Sequence, residues 1–200
     1  MCATGQKKIS EEIMRQIAVL LAVVIALAYP GSAFACNSPQ FVSIYPGFYE
    51  YEPDNNLNSC SNTSCWTFSS SVSCSSGNLS CGSTGWCATA MNQQISQSFT
   101  VGSSDSGTNT WEAFYNYDLN SPGGYWFDQI TVQVQVLHNG QYYSYSSGHN
   151  GTQGNVSCGS GDTVFTAYNG DTVSIYVNMS RSDPSSKVCV TGLHVWRHTT

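Results

Sequence analysis

The chain has 200 residues, of which only 9% are charged, and its formal net charge at pH 7 is −6. Its six Lys and Arg side chains are too few to form the basic patch that nucleic-acid binding requires, so a nucleic-acid partner is excluded. The length is typical of one domain with a substantial apolar core.

The N-terminal part has the pattern of a secretory signal peptide. An unbroken apolar run over residues 17–28 follows Arg15 and precedes an Ala-Phe-Ala sequence at 33–35. A charged start, a short apolar segment and a small-x-small site are typical of such signals. As a helix the run would span roughly 18 Å, short of the ~30 Å hydrocarbon core of a bilayer, so a permanent anchor is the weaker alternative. We predict a signal peptide over residues 1–35, with membrane contact only during export.

Export would leave residues 36–200 as a single secreted domain, with a cysteine-rich, loop-rich part (36–90) and a strand-rich part (91–200). Met14 begins a more usual signal than Met1, which would make the residues before it an N-terminal extension; the sequence leaves both starts open. Removal of the leader changes the formal net charge to −7, because three basic and two acidic side chains leave with it. We expect a secreted or cell-surface protein.

Eight cysteines remain after the leader, and an even number in an exported chain indicates four disulfide bridges. No C-x-x-C pair occurs, so a zinc site is the weaker alternative and no cofactor is expected. Only two of the eight lie in the C-terminal half, which favours a bridge between them. The eight are Cys36, Cys60, Cys65, Cys74, Cys81, Cys87, Cys158 and Cys189.

Five N-x-S/T tripeptides are candidate glycosylation sites in an exported chain. The alternative is chance, because the chain is rich in Asn, Ser and Thr. The tripeptides begin at Asn62, Asn78, Asn150, Asn155 and Asn178. The last has the most favourable context, because alternation on its predicted strand turns Asn178 outward.

Residues 129–146 predict a β-hairpin. Apolar and polar residues alternate on both sides of Asn139-Gly140, a pair that suits the positive φ angles of a type I′ turn. A two-residue turn predicts inward cross-strand pairs, Val134 with Tyr145 and Val136 with Tyr143. Gln135 and Tyr142 then face the other side.

The rest of the chain predicts further short strands without a helical stripe after residue 35. We expect an irregular segment or edge strand within 36–59 and a last strand that bends at Gly192. The repeated Gly-Asp-Thr-Val at 161–164 and 170–173 predicts two turns, each followed by a strand. The other predicted strands cover 95–101, 111–118, 164–167, 172–179 and 187–198. This series predicts an all-β, antiparallel β-sandwich or jelly roll, stapled by disulfides.

Catalytic signals are sparse. The chain has no nucleophile elbow, zinc-protease motif or phosphate-binding glycine loop. A small secreted hydrolase, either a glycosidase or an acid peptidase, would need a carboxyl pair or a carboxyl and an amide. For that alternative function, Glu112 with Asp128, Asp118 or a glutamine is the candidate. The C-terminal residues His194, Trp196 and His198 would share one strand face, but we predict no metal site there.

Aromatic and amide side chains favour a binding function instead. Flat rings stack on sugar rings, while amide and hydroxyl groups bond to sugar hydroxyls. We therefore predict a role in binding or surface architecture, with carbohydrate as the first candidate ligand and other cell-surface components as the alternative. The candidate ligand-binding residues are Trp111, Trp126, Tyr142, Tyr176 and Trp196. Tyr142 and Tyr176 are favoured because alternation turns them outward.

Overall fold

Alternating apolar residues form long strands with one buried face in the computed structural model. The structure describes residues 57, 60, 65–77, 79–80, 82, 84–102, 108–121, 128–151 and 156–198, and the backbone alone of 40–45 and 48–52. The predicted signal peptide, Cys36, Cys81 and Trp126 lie outside the described residues. No helix within the described ranges has the length and hydropathy needed to cross a membrane.

The described residues form twelve strands. Their bounds are β1 (Gln40–Tyr45), β2 (Phe48–Glu52), β3 (Thr67–Phe68), β4 (Val72–Ser76), β5 (Thr84–Ala88), β6 (Gln93–Thr100), β7 (Thr110–Asn120), β8 (Gln129–His138), β9 (Gln141–Asn150), β10 (Val156–Thr166), β11 (Thr172–Ser180) and β12 (Lys187–His198). The segment 36–59, predicted to be irregular or a single edge strand, contributes the paired strands β1 and β2.

The strands make two antiparallel sheets. The five-stranded sheet has the order β3-β6-β11-β8-β9. In the seven-stranded sheet, β10 pairs with β7 and β7 with β12, while the other edge of β12 pairs with both β2 and β5. β1 and β4 complete the two branches. The predicted antiparallel β-sandwich is confirmed.

The inner faces of the two sheets form the core. On β11, for example, Val173, Ile175 and Val177 are fully buried, while Ser174 and Tyr176 between them point outward. The same alternation on β6, β7, β8 and β12 places the remaining apolar side chains between the sheets. Each strand therefore keeps an outer face that is free to carry polar groups.

The predicted hairpin is confirmed in register and turn. Val134 pairs with Tyr145, and Asn139-Gly140 forms the turn with φ of 49° and 78°. The prediction that Tyr145 and Tyr143 both face the core needs correction, because β9 is the edge strand of its sheet. Tyr145 is only half-buried, and Tyr143 remains 45% exposed although it lies in the inward register.

Hydrogen bonds tie this edge to the other sheet. The Ser147 hydroxyl on β9 lies 2.7 Å from the Thr163 hydroxyl on β10, and the Tyr115 hydroxyl on β7 lies 3.2 Å from Ser147. Two glycines on β10 leave space for tyrosines, since a Cβ at Gly161 would lie 2.6 Å from the hydroxyl of Tyr115. Burial raises the pKa of Tyr115 despite its bond to Ser147. The contact between Ser147 and Thr163 therefore brings β9 of one sheet next to β10 of the other.

The predicted bend in the last strand is confirmed, since the register of β12 with β7 shifts between Val190 and Gly192. The prediction of two turns from the repeated tetrapeptide was wrong for the first copy. Gly161 and its neighbours lie inside β10, whereas Gly170 has φ of +88° in the turn before β11. The same tetrapeptide occurs in both places because its glycine adopts the extended backbone of a strand as readily as the left-handed backbone of a turn.

The disulfides correct the predicted pairing. Cys189 bonds to Cys87, not to Cys158, and Cys60 bonds to Cys74. β12 lies beside β5, where Cys189 and Cys87 are direct partners in the register with Cα atoms 4.1 Å apart. Cys65 and Cys158 each take part in a disulfide bond as well. Strand order rather than sequence proximity selects the partner.

Candidate functional site

The outer face of the five-stranded sheet carries a groove of about 320 Å³. Every described residue that lines it is uncharged, and all but one offer amide or hydroxyl groups. We call it the amide groove, and its residues are Asn92, Gln93, Gln94, Gln129, Thr131, Asn178, Met179 and Ser180.

Three neighbouring strands position the groove. Asn178 on β11 is paired in register with Gln94 on β6 and with Thr131 on β8. The Nε2 of Gln94 donates to the Oδ1 of Asn178 at 2.8 Å, and the hydroxyl of Ser180 donates to the Oδ1 of Asn92 at 3.2 Å. Each amide has two donor hydrogens and an acceptor oxygen, so these bonds leave further donors and acceptors available to a ligand.

Tyr176 lies beside the amide groove. It precedes Asn178 by two residues on the same face of β11, which places the two side chains about 7 Å apart along the strand. Its register partners are Ser96 on β6 and Gln133 on β8. The half-buried Tyr176 therefore lies between polar neighbours, next to the residues that line the groove.

Tyr142 shares the outer face but lies away from the groove. It is 71% exposed on the edge strand β9, opposite Leu137 of β8. Counted along β9 and across two strands, Tyr142 is roughly 17 Å from Tyr176. The two tyrosines favoured by the sequence therefore do not form one site.

Trp111 is not available to a ligand, which corrects its prediction as a binding residue. It is 0% exposed, lies between Phe99 and Phe165, and donates from its indole nitrogen to the Ala167 carbonyl at 3.2 Å. The guanidinium of Arg197 lies 5.1 Å from its ring centroid. Alternation on β7 shows that Trp111 has one preferred face, but strand pairing makes that face the core.

Trp196 and Glu112 lie on the outer face of the seven-stranded sheet. Trp196 is half-buried, and its ring is stacked on Phe114 with centroids 5.1 Å apart. Glu112 lies beside His198, with 3.4 Å between Oε2 and Nε2. The described residues contain no group of three or more metal-binding side chains, here or elsewhere. These residues belong to the sheet opposite the amide groove.

The structure does not bring Glu112 and Asp128 together. The buried carboxylate of Asp128 lies beside Ser121, just after β7, and nine residues of extended strand separate Ser121 from Glu112. That distance is about 30 Å, whereas glycosidase carboxyl pairs lie ~5–10 Å apart. Asp118 is likewise buried and accepts a hydrogen bond from the Ser80 backbone N–H. Neither aspartate faces Glu112 across a cleft.

Asp128 acts as a structural clamp. Its Oδ1 accepts hydrogen bonds from the backbone N–H and the hydroxyl of Ser182, at 2.7 and 2.8 Å. The hydroxyls of Ser121 and Ser186 also face the carboxylate, although they fall outside good hydrogen-bond geometry. Burial alone would raise the pKa of Asp128, but these serine groups outweigh it and lower the pKa.

No protein-family model matches the chain, and no curated protein matches it in sequence. Among solved structures, it is similar to the CBM22-1 xylan-binding domain of Paenibacillus barcinonensis Xyn10C, with a TM-score of 0.49, 11% identity, and coverage of 73% of this chain and 92% of that one. For TmCBM61 in complex with β-1,4-galactotriose the TM-score is 0.43 at 12% identity, covering 66% of this chain and 88% of that one. For the bacteriophage CBA120 tailspike protein 4 enzymatic domain the TM-score is 0.46 at 14% identity, covering 73% and 22%.

Only part of the amide groove and its surroundings could be identified from the sequence. Tyr176 was predicted to point outward and Asn178 to be a glycosylation candidate, whereas Gln94, Gln129 and Thr131 were not singled out. The sequence did indicate that these three side chains point outward, because each lies at an outward position of an alternating strand. Which three outward positions become neighbours depends on the order β6-β11-β8, which alternation does not encode. Of the other candidate glycosylation sites, Asn150 is exposed at the end of β9, and Asn62, Asn78 and Asn155 lie outside the described residues.

Proposed function

We propose that the chain is an extracellular protein that binds neutral carbohydrate in the amide groove. The observation that carries this proposal is the groove itself, a concave surface of about 320 Å³ formed by amide and hydroxyl side chains without a charged residue among its described lining. The disulfides support an extracellular location, because such bonds persist in oxidising compartments.

The chemistry of the groove matches that of a sugar. Sugar hydroxyls both donate and accept hydrogen bonds, and amides present both kinds of group at fixed spacing. A buried ion would need an opposite charge, so this neutral lining disfavours acidic sugars. The net charge of −7 left after removal of the predicted leader also repels them.

Tyr176 supplies the apolar part of the site. The faces of a sugar ring carry C–H groups that pack against an aromatic ring, and a rigid tyrosine loses little side-chain entropy on binding. Tyr176 lies on β11, which pairs with β6 on one side and β8 on the other, so its backbone position is fixed before the ligand arrives.

The proposal requires an unmodified Asn178. Its side chain lines the groove and bonds to Gln94, so an N-linked glycan at this position would occupy the site. The two predictions for Asn178, ligand contact and glycosylation, therefore exclude each other. Peptide mass spectrometry of the naturally secreted protein distinguishes them.

The test measures binding of the full chain, secreted into the periplasm of a bacterial host that forms disulfides and adds no N-glycans. A neutral-oligosaccharide array identifies a ligand, and calorimetry gives its Kd. Gln129→Ala removes one groove amide and should weaken binding by about 2- to 10-fold. Gln135→Ala is the matched control, because it removes the same side chain from the same face of β8, six residues and about 20 Å away.

The expected result is a weaker Kd for Gln129→Ala and an unchanged Kd for Gln135→Ala. Tyr176→Ala should weaken binding by about fivefold or more through loss of stacking contact. Failure to bind any neutral oligosaccharide, or equal effects of the two glutamine variants, would overturn the proposal.

A further inference from the structure

A second concave site lies at the turn end of the β8–β9 hairpin, where β9 approaches β10. It is a cleft of about 370 Å³ lined mainly by aromatic rings. We call it the tyrosine cleft, and its described residues are His138, Tyr143, Tyr145, Thr166 and Tyr168. Tyr143 and Tyr168 are 45% and 44% exposed, which is unusual for rings packed beside a core.

A buried carboxylate holds two walls of the tyrosine cleft in place. Asp171 is 5% exposed, and its Oδ1 lies 2.8 Å from the Nδ1 of His138. Its Oδ2 accepts a hydrogen bond from the backbone N–H of Tyr168 at 2.7 Å. The other ring nitrogen of His138, Nε2, lies 2.9 Å from the amide nitrogen of Asn139. Polar contacts at both ring nitrogens therefore hold the imidazole in place as one wall of the cleft.

The tyrosine rings also have contacts that orient them. The ring of Tyr168 lies against His138 with centroids 4.8 Å apart, and Tyr145 packs on the core residue Phe165 at 6.2 Å. The hydroxyl of Tyr143 donates to the Oε1 of Gln141 at 3.0 Å. The cleft is therefore formed before any ligand arrives, which lowers the entropic cost of binding.

We propose that the tyrosine cleft is a second carbohydrate-binding site, which takes the apolar face of a neutral sugar ring between Tyr143 and Tyr168. Its volume lies at the small end of the range for ligand pockets, ~300–1000 Å³, and suits a compact ring system. Proline-rich peptides instead need an extended aromatic groove. The hydroxyls of the tyrosines and of Thr166 provide the polar rim that sugar hydroxyls require.

The two sites lie at opposite ends of β8. Gln129 of the amide groove and His138 of the tyrosine cleft are nine residues apart on that strand, or roughly 30 Å. A short oligosaccharide cannot span this distance, so each site acts alone on such ligands. If the amide groove also binds sugar as proposed above, the chain is bivalent and gains avidity on a polysaccharide surface.

The experiment measures the cleft in a chain whose groove is already weakened, and the effect of Tyr168→Ala then assigns the remaining binding to the cleft. The full chain carrying Gln129→Ala is titrated by calorimetry with cellotetraose, xylotetraose and maltotetraose, and then again with Tyr168→Ala added. Tyr142→Ala is the matched control, because Tyr142 is an exposed tyrosine next to Tyr143 that points to the other face of β9. Thermal unfolding checks that each variant is folded.

We expect at least one tetrasaccharide to bind the Gln129→Ala chain, with about fivefold weaker binding after Tyr168→Ala and none of that loss after Tyr142→Ala. Binding to the Gln129→Ala chain that weakens with Tyr168→Ala but not with Tyr142→Ala supports the cleft even if the groove proposal fails. Absence of tetrasaccharide binding to the Gln129→Ala chain, equal effects of the two tyrosine variants, or displacement of sugar by a polyproline peptide would overturn the proposal.

Discussion

The cysteine-rich part of the domain and its strand-rich part are ordered by different means. From residue 57 to 88 the strands have at most five residues, and the buried apolar side chains described there are Leu57, Trp66 and Ala88. From β6 to β12 the strands have eight to twelve residues, and most bury alternate side chains. Ordering the backbone costs about 1–2 kcal/mol per residue, so a segment with little apolar burial depends on covalent links.

This difference matters for function, because both proposed sites are built mainly on the long strands. The amide groove uses side chains of β6, β8 and β11, and the tyrosine cleft lies where β8, β9 and β10 meet. Long strands with a buried face hold their outward side chains in fixed positions. We therefore expect the core to support the sites directly and the disulfides to support the domain around them.

The largest expected effect is loss of the core beneath the hairpin. Val134→Asp places a carboxylate at a fully buried position opposite Tyr145, which costs several kcal/mol and should prevent folding. Gln135→Asp, one residue along on the outer face, should fold normally. Circular dichroism and thermal unfolding of both variants provide the measurement, and a folded Val134→Asp chain would contradict the assigned faces.

The disulfides should contribute according to the length of chain they close. Cys87 and Cys189 are 102 residues apart, and Cys60 and Cys74 are 14 apart. Replacing each pair by serine should lower the free energy of unfolding by about 4–5 and about 3 kcal/mol, respectively, because the longer loop gains more entropy in the unfolded chain. Denaturant unfolding measures both. A greater loss for the shorter bridge would show that it holds the cysteine-rich part by local strain relief or packing instead.

A smaller effect is expected from the polar clamp at the far end of the strands. Asp128→Asn should lower the free energy of unfolding at pH 7 by about 2 kcal/mol, because a neutral amide oxygen replaces the charged acceptor of the two Ser182 hydrogen bonds. Folding lowers the pKa of Asp128, so its contribution is present above the unfolded value of about 3.9 and disappears as the pH falls through the folded pKa.

Urea unfolding at pH 7 and below pH 4 tests this sign. The difference between the Asp128→Asn variant and the original chain should be constant at neutral pH and shrink in acid. A difference that grows as the pH falls would show that the carboxyl group of Asp128 is stabilised in its protonated form.

The smallest effect is expected on the outer face opposite the groove. Glu112→Gln weakens the contact of this side chain with the partly exposed His198. The free energy of unfolding should therefore change by less than about 1 kcal/mol, and the Kd for saccharide should not change. The same preparations should be assayed for hydrolysis of the array oligosaccharides. Hydrolysis that a folded Glu112→Gln variant abolishes would replace the binding proposal with the hydrolase alternative.

Several features of the fold could be predicted from the sequence because they depend on neighbours in the chain. The Asn139-Gly140 turn, the pairing of Val134 with Tyr145 and the bend at Gly192 are all confirmed. Each follows from backbone preferences or period-2 alternation within about twenty residues. The same local rules predicted the outward direction of Tyr176 and Asn178.

Long-range pairing accounts for the rest. The amides of Gln94 and Asn178 form a hydrogen bond although they are 84 residues apart in the sequence, and Cys189 bonds to Cys87, which is 102 residues away. Alternation says that Trp111 has a preferred side, but only the packing of β7 between β10 and β12 makes that side the core. The local sequence determines the chemistry of each side chain and the face of the strand on which it lies. The sites arise from strand order, which depends on contacts between distant segments.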